Sequence, residues 1–93
     1  MVTAFVLICA EPARVAALAG ELADLPGVAE VYSVAGDEDL LAIVRVAHHD
    51  DLASVVTGGV ASLPGIRSTR TMIAFQAYSR RDLEAVWSIG WES

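Results

Sequence analysis

A tetrapeptide that occurs twice constrains the fold of this 93-residue chain more than any other feature. Leu25–Val28 reads Leu-Pro-Gly-Val and Leu63–Ile66 reads Leu-Pro-Gly-Ile, an offset of 38 residues. Each copy follows an apolar stretch and then a helix-like stretch, and each precedes a second extended stretch. The pattern predicts a duplicated strand-helix-strand unit, and two units of this length make one small α+β domain rather than a repeat array.

Hydrophobic periodicity predicts the elements of the two units. The predicted strands are Val2–Ala10, Val28–Val34, Leu40–Ala47 and Ile66–Tyr78. The apolar stripes that predict the two helices are Val15, Leu18, Leu22 and Leu25 in the first and Leu52, Val55, Val56, Val60 and Leu63 in the second. Gly58 and Gly59 lie within the second helix and are expected to weaken it by about 1 kcal/mol each. Ser79–Asp82 resembles the cap of a short final helix.

The resulting order is that of a ferredoxin-like βαββαβ sandwich with a four-stranded antiparallel sheet and a short C-terminal helix. The first and third strands are apolar on both faces and are therefore predicted to be central, with the second and fourth at the edges. Two helices cover only one face of such a sheet, and the other face is also apolar. We therefore expect a face-to-face homodimer, with Trp87 and Trp91 of the tail at a subunit boundary. The alternative is that the final helix folds over its own sheet.

Composition supports self-association and disfavours two classes of partner. Hydrophobic residues make up 55% of the chain and the mean hydropathy is +0.52. The chain therefore has more apolar side chain than a monomer of this size needs for its core. No apolar run reaches the roughly 20 residues of a membrane span, so no membrane partner is expected. The net charge is −6 and lysine is absent, so direct nucleic-acid binding is not expected either. The single cysteine, Cys9, fits a packed thiol in a reducing cytoplasm.

The loop Gly36-Asp37-Glu38-Asp39 is the best candidate for function. Glycine allows a positive φ, and the loop presents backbone amides and carboxylates at one end of the sheet. Such a site could hold the ammonium group of an amino acid with a carboxylate and its carboxylate with backbone N–H groups. The alternative is an acidic, solvated hairpin. General acid–base catalysis by these carboxylates is disfavoured, because nothing nearby supplies a nucleophile or an electrophile.

Two other patterns are weaker. His48-His49-Asp50-Asp51 could suggest a metal site, but it has no second spaced ligand pair; Asp50 or Asp51 as a helix cap, with the histidines near solvent, is the better interpretation. Thr69 and Thr71 alternate with Arg70, so both hydroxyls face the same side of the fourth strand and could contact a ligand or simply occupy an edge strand.

With these residues in view, the chain resembles the ligand-binding domain of Lrp/AsnC regulators, also called the RAM domain. The resemblance rests on the sheet pattern, the Leu-Pro-Gly-Val helix exit, and the segments Val31–Leu40 and Thr69–Phe75. The tail Ala77–Glu84 is similar to that of stand-alone members. We assign residues 1–79 to the domain and 80–93 to the C-terminal helix and tail.

The resemblance implies a cytoplasmic regulatory module without a helix-turn-helix, one that forms dimers and then octamers or similar rings. It also implies a small-molecule effector, usually an amino acid, bound between dimers, with no cofactor, no metal and no enzymatic activity. On this sequence the implied ligand-binding residues are Gly36, Asp37, Glu38, Asp39, Leu40, Thr69 and Thr71. Ligand binding across an interface would shift the assembly state.

Two departures from the family pattern concern the loop, where family members often have Thr or Ser before the glycine and an aromatic residue before the last aspartate. Here those positions are Ala35 and Glu38. Two other functions stay open. The chain could be a ligand-free interaction module for full-length Lrp/AsnC regulators. It could also be a small dimeric ferredoxin-like enzyme of the monooxygenase or isomerase type, which would need an inward cavity lined by Tyr32 or Tyr78.

Overall fold

The computed structural model describes residues 1–78 and 80, and these form a four-stranded antiparallel sheet with helices on one face. The strands are β1 (Val2–Ala10), β2 (Val28–Ser33), β3 (Leu40–Val46) and β4 (Ile66–Ile73). Their spatial order is β2-β3-β1-β4, which confirms the predicted ferredoxin-like arrangement with the first and third strands at the centre. The central positions follow from composition, because β1 and β3 are apolar at nearly every position on both faces, whereas β2 and β4 carry several polar residues.

The repeated Leu-Pro-Gly segments form two turns of the same backbone geometry. Gly27 and Gly65 both have φ of +92°, a conformation that favours glycine. The first turn follows α1 (Val15–Ala23) and leads into β2, and the second follows the second helical segment and leads into β4. The sequence repeat therefore corresponds to a structural repeat in which each helix returns the chain to an edge strand.

The hydrophobic core lies between the helices and one face of the sheet. On β1 and β3 every second residue is buried, and Leu18 and Leu22 of α1 pack onto this face. The buried residues are Ala4, Val6, Ile8, Ala10, Leu18, Leu22, Leu40, Ala42, Val44, Val46, Leu52 and Val60. The predicted helical stripes are thus the core-facing residues of both helices, with the remaining members half-buried around them.

The second helical segment is less regular than a single α-helix. It comprises α2 (His49–Ala53), a π-helical stretch Ser54–Gly59 and a final 3₁₀ turn Val60–Ser62. β-Branched residues and the glycine pair have low helix propensity, which explains why regular α-geometry ends early. The Ser62 hydroxyl donates to the carbonyl oxygens of Gly58 (3.0 Å) and Gly59 (2.8 Å), near the end of the segment.

The fourth strand is shorter than predicted, ending at Ile73 rather than Tyr78. Ala74 still donates its N–H to the carbonyl oxygen of Thr3 (2.9 Å), and the pairing with β1 ends there, one residue short of the start of β1 at Val2. Phe75 and Tyr78 are consequently exposed. The predicted final helix, including Trp87 and Trp91, lies outside the described residues, so the division at residue 79 stays a prediction.

The other sheet face, which we call the open face, carries the alternate residues of each strand and is not covered by the described helices. Cross-strand register aligns Phe5 with Ile43 and Leu7 with Leu41, and all four side chains are half-buried. Met72 of β4 pairs with Phe5 and is exposed. The open face is therefore an apolar stripe on an otherwise acidic protein.

Candidate functional site

The loop between β2 and β3 closes over the end of β1 through Asp39. The Asp39 N–H donates to the carbonyl oxygen of Ile8 (2.9 Å), and its carbonyl accepts the N–H of Val34 (3.0 Å). Its carboxylate Oδ2 accepts the N–H of Ala10 at 2.9 Å. Asp39 thus extends the β1–β3 pairing by one residue, and its side chain is already engaged with the backbone.

Gly36 allows the loop to leave β2 in the direction that this closure needs. Its φ is +140°, a backbone conformation that L side chains rarely adopt, and no other atom lies within 4 Å of where a Cβ would stand. The residue is exposed. The glycine is therefore required by backbone conformation and not by a lack of space.

The other two loop carboxylates differ in their surroundings. The Glu38 carboxylate accepts a hydrogen bond from Arg70 Nη2 of β4 at 2.6 Å and forms an ion pair with it. Asp37 is exposed, and its backbone carbonyl oxygen lies 3.5 Å from the Cys9 thiol sulfur. Within residues 1–78 and 80, the Asp37 carboxylate has no hydrogen-bond or ion-pair partner. Among the described residues, Asp37 is thus the acid of the loop whose carboxylate is unpaired, while those of Glu38 and Asp39 are engaged.

Thr69 and Thr71 do not join this cluster within the protomer. They pair with Ile8 and Val6, whose side chains are buried on the helix face of the sheet. Arg70 pairs with Leu7 and so belongs to the open face, where it meets Glu38. Thr71 instead borders a cleft of about 380 Å³ between β4 and α2, together with His49 and Asp50. The sheet therefore separates the two threonines from the Glu38–Arg70 pair.

Leu40, the first residue of β3, is fully buried in the core. It pairs with Ile8 of β1 and Ser33 of β2, so its backbone forms part of the sheet next to the loop. Its side chain faces the helices and contributes packing at this position.

The histidine-containing segment begins the second helical segment, but the N-cap residue is His48, and Asp51 stands at the third helical position of a capping box rather than at the predicted cap. The carboxylate of Asp51 accepts the N–H of His48 at 3.3 Å, and both histidines are exposed. Across residues 1–78 and 80 there is no group of three or more His, Cys, Asp or Glu side chains that could hold a metal ion. Nor is any helix in that part of the chain long and apolar enough to cross a bilayer.

A second polar cluster flanks the open face at its β2 edge. Tyr32 donates its hydroxyl to the Glu30 carboxylate, and Arg45 lies 3.6 Å from the same carboxylate. The hydrogen bond to Glu30 and its negative charge raise the pKa of Tyr32 above the ordinary 10.0. Tyr32 is 48% exposed and Tyr78 is 72% exposed, so neither lines an inward cavity of the kind the enzyme alternative needs.

Sequence reasoning missed Arg70 as a site residue. The alternation Thr69-Arg70-Thr71 shows that one face of β4 carries the hydroxyls and the other the guanidinium. Which face meets the loop depends on the pairing of β4 with β1, and that pairing is long-range. The proximity of Glu38 to a basic residue 32 positions away became visible only in the fold.

Comparisons with known proteins agree with this architecture. The sequence profile of the Lrp/AsnC ligand binding domain matches residues 3–83. The uncharacterized HTH-type transcriptional regulator PF0250 of Pyrococcus furiosus is 37% identical over 76 residues, 78% of this chain and 51% of its own length. The chain spans about half the length of the curated relatives it matches.

Two solved structures are also similar. TTHA0845 from Thermus thermophilus is 52% identical with a TM-score of 0.82, over 86% of this chain and 100% of that one. The feast or famine regulatory protein (Rv3291c) from M. tuberculosis, complexed with L-methionine, is 30% identical with a TM-score of 0.71, over 87% of this chain and 55% of that one.

Proposed function

The chain belongs to the Lrp/AsnC ligand-binding domain family, and on that basis we propose that it is a regulatory module that binds a small-molecule effector of the amino-acid class. Its curated relatives are transcriptional regulators. We propose that effector binding takes place at an interface between subunits, in the cytoplasm, and modulates an assembly that acts in transcription.

The observation that carries the effector class is the L-methionine complex of the 30% identical M. tuberculosis protein. An amino acid carries an ammonium and a carboxylate on one carbon, so its site needs an acidic partner and N–H donors a few ångströms apart. The Gly36–Asp39 loop offers both within four residues. These features support the loop as the place where the effector binds.

The state of the three carboxylates supports a division of roles. Asp39 is bonded to the Ala10 N–H and Glu38 to Arg70, which leaves Asp37 to bind the ammonium group. The exposed backbone next to Gly36 would hold the effector carboxylate through N–H groups, as in other backbone anion sites. Glu38 stands where family members often carry an aromatic residue, so the effector side chain would meet a polar wall.

A site between subunits agrees with the uncovered apolar open face of the protomer and with the position of Thr69 and Thr71. The open face, with Phe5, Leu7, Leu41 and Ile43, would be covered by a second copy in a homodimer, and dimers would assemble further into a ring. Thr69 and Thr71 lie on the sheet face opposite to the Glu38–Arg70 pair. In such a ring they would contact an effector bound at the loop of a neighbouring protomer, and not one bound at the loop of their own protomer. Full-length Lrp/AsnC regulators are candidate partners through the same open face.

Isothermal titration calorimetry of the wild-type chain with each of the twenty amino acids tests the proposal. Size-exclusion chromatography with light scattering, with and without each amino acid, gives the assembly state in parallel. We expect heat from a subset of the amino acids and a shift in the oligomer distribution with the same subset, because a ligand stabilises the assembly that completes its site.

Asp37→Asn is the informative variant, and Asp24→Asn is its control because Asp24 is an exposed acid at the end of α1, away from both the loop and Thr71. Removing a charge-assisted hydrogen bond worth about 1.5–3 kcal/mol should weaken binding by about 10- to 100-fold in Asp37→Asn only. Absence of heat with all twenty amino acids, together with an unchanged oligomer distribution, would contradict the proposal and favour the ligand-free interaction module.

A further inference from the structure

We propose that Arg70 is a positioning and specificity residue of the loop: it withdraws the Glu38 carboxylate to β4 and leaves Asp37 as the single free acid. The half of this inference that concerns the loop conformation stands on the protomer alone. The half that concerns ligand choice rests on the proposed function.

Four contacts attach residues 37–39 of the loop to β1 and β4. Two of them belong to Asp39, which bonds to the backbone of Ile8 and Ala10 at 2.9 Å each. The third is the 2.6 Å contact between Glu38 and Arg70, which passes over the end of β1 to the edge strand β4. The fourth is the 3.5 Å contact between the Cys9 thiol, a weak donor, and the carbonyl oxygen of Asp37. Since Asp39 attaches only the β3 end of the loop, the charged Glu38–Arg70 pair is the stronger of the two contacts that hold its middle.

Burial favours a persistent pair. The Glu38 side chain is only 19% exposed, whereas the Arg70 side chain is 64% exposed. A carboxylate that has lost most of its water gains more from a cation than an exposed one does, because fewer waters compete for it. Without Arg70, Glu38 would turn towards solvent and carry the middle of the loop with it.

Charge explains the effect on ligand choice. The loop carboxylates of Asp37, Glu38 and Asp39 total −3, and Arg70 brings the cluster to −2. Without that cation, the loop repels a ligand carboxylate more strongly and attracts a purely cationic ligand more strongly. Arg70 therefore favours a zwitterionic amino acid over the corresponding amine that lacks the carboxylate.

Amide hydrogen exchange by NMR tests the positioning without any ligand. The reporters are the N–H groups of Ala10, Val34 and Asp39. The first two donate to Asp39, and the N–H of Asp39 donates to the carbonyl oxygen of Ile8. We expect these amides to exchange about three- to tenfold faster in Arg70→Gln, while Arg67→Gln, which removes an exposed arginine from the same strand, leaves them unchanged.

Two variants separate the ion pair from simple loss of packing. Arg70→Lys keeps the cation without the planar fork and should restore part of the protection. The charge swap Glu38→Arg/Arg70→Glu should lose less protection than the sum of the losses in Glu38→Arg and Arg70→Glu, because the swap forms the ion pair again. Equal exchange rates in Arg70→Gln and Arg67→Gln would overturn the positioning role. A swap variant whose loss of protection equals the sum of the two single losses would overturn it as well.

Calorimetry with L-methionine and L-methioninamide tests the specificity. We expect the ratio of the two affinities, acid over amide, to fall about three- to tenfold in Arg70→Gln and to stay at the wild-type value in Arg67→Gln. An unchanged ratio would overturn the specificity role. If the wild-type chain binds neither probe, the proposed function fails for methionine, while the exchange experiment still decides the role of Arg70 in the loop.

Discussion

Gly27→Ala is the sharpest test of the idea that the repeated Leu-Pro-Gly turn builds this fold. Gly27 has φ of +92°, which an alanine adopts only under strain. A Cβ at this position would lie 2.7 Å from Val55 Cγ2 and 3.3 Å from Val46 Cγ1. Both neighbours belong to the packed layer between the second helical segment and the sheet. The substitution therefore combines backbone strain with overpacking.

The two effects can be estimated separately. Strain of a non-glycine residue in this region costs about 1–3 kcal/mol. Forcing one extra methyl group into a packed core costs about 1–3 kcal/mol more, because β-branched Val55 has few alternative rotamers. We expect Gly27→Ala to lower the free energy of unfolding by about 2–6 kcal/mol, a large part of the about 5–15 kcal/mol of a typical domain.

Two further glycines serve as controls, because the structure separates the contributions. Gly36 has φ of +140° but open space, so Gly36→Ala should show the strain alone, about 1–3 kcal/mol. Gly58 lies in the π-helical stretch without a positive φ and also faces open space. Gly58→Ala should therefore stabilise the protein by about 0.5–1 kcal/mol.

Urea unfolding followed by circular dichroism measures all three variants, at one protein concentration because assembly would contribute to stability. The expected order of stability is Gly58→Ala above wild type, then Gly36→Ala, then Gly27→Ala. A neutral Gly27→Ala would refute the turn argument outright. Equal losses in Gly27→Ala and Gly36→Ala would refute the role of the Val55 contact.

Two further predictions concern the core and the open face. Leu40→Ala should lower the free energy of unfolding by about 2–5 kcal/mol, since Leu40 is fully buried. As a control, Thr69→Ala on the exposed edge strand should change it by no more than about 0.5 kcal/mol. A loss below about 1 kcal/mol in Leu40→Ala would contradict the core position of Leu40. The pKa of Tyr32 is raised above 10.0 by its hydrogen bond to Glu30, so its contribution to stability should be present below about pH 10 and lost as the pH rises through the folded-state pKa. An absorbance titration of wild type against Tyr32→Phe measures that pKa, and Glu30→Gln should lower it.

Much of the fold was predictable because its signals are local. The nearly continuous apolar run Val2–Ala10 identified β1 with the bounds that the structure has. The end of the fourth strand was not predictable in this way. Residues after Ile73 have strand-like composition, but the pairing of β4 with β1 stops near Thr3, close to the first residue of β1, and such long-range pairing is not a local signal.

The candidate loop was also found from its residues, since Gly36 and the acids that follow it are consecutive in the chain. The different roles of its carboxylates were not. Asp39 and Glu38 acquire partners on β1 and β4, and the threonines of β4 fall on the opposite side of the sheet. A shift of one residue in the pairing of β4 would exchange Arg70 with the threonines.

The sequence by itself determined the duplicated units, the central strands and the glycine turns, because hydrophobic period and glycine chemistry act over a few neighbouring residues. Only the tertiary structure decided which acid of the loop is free, which face Arg70 occupies and how far β4 extends. These outcomes depend on strand register between segments more than 25 residues apart, as between Glu38 and Arg70 or Ala10 and Asp39. A shift of one residue in register moves every side chain of a strand to the other face, so these contacts depend on how whole strands pair and pack and not on a few neighbouring residues.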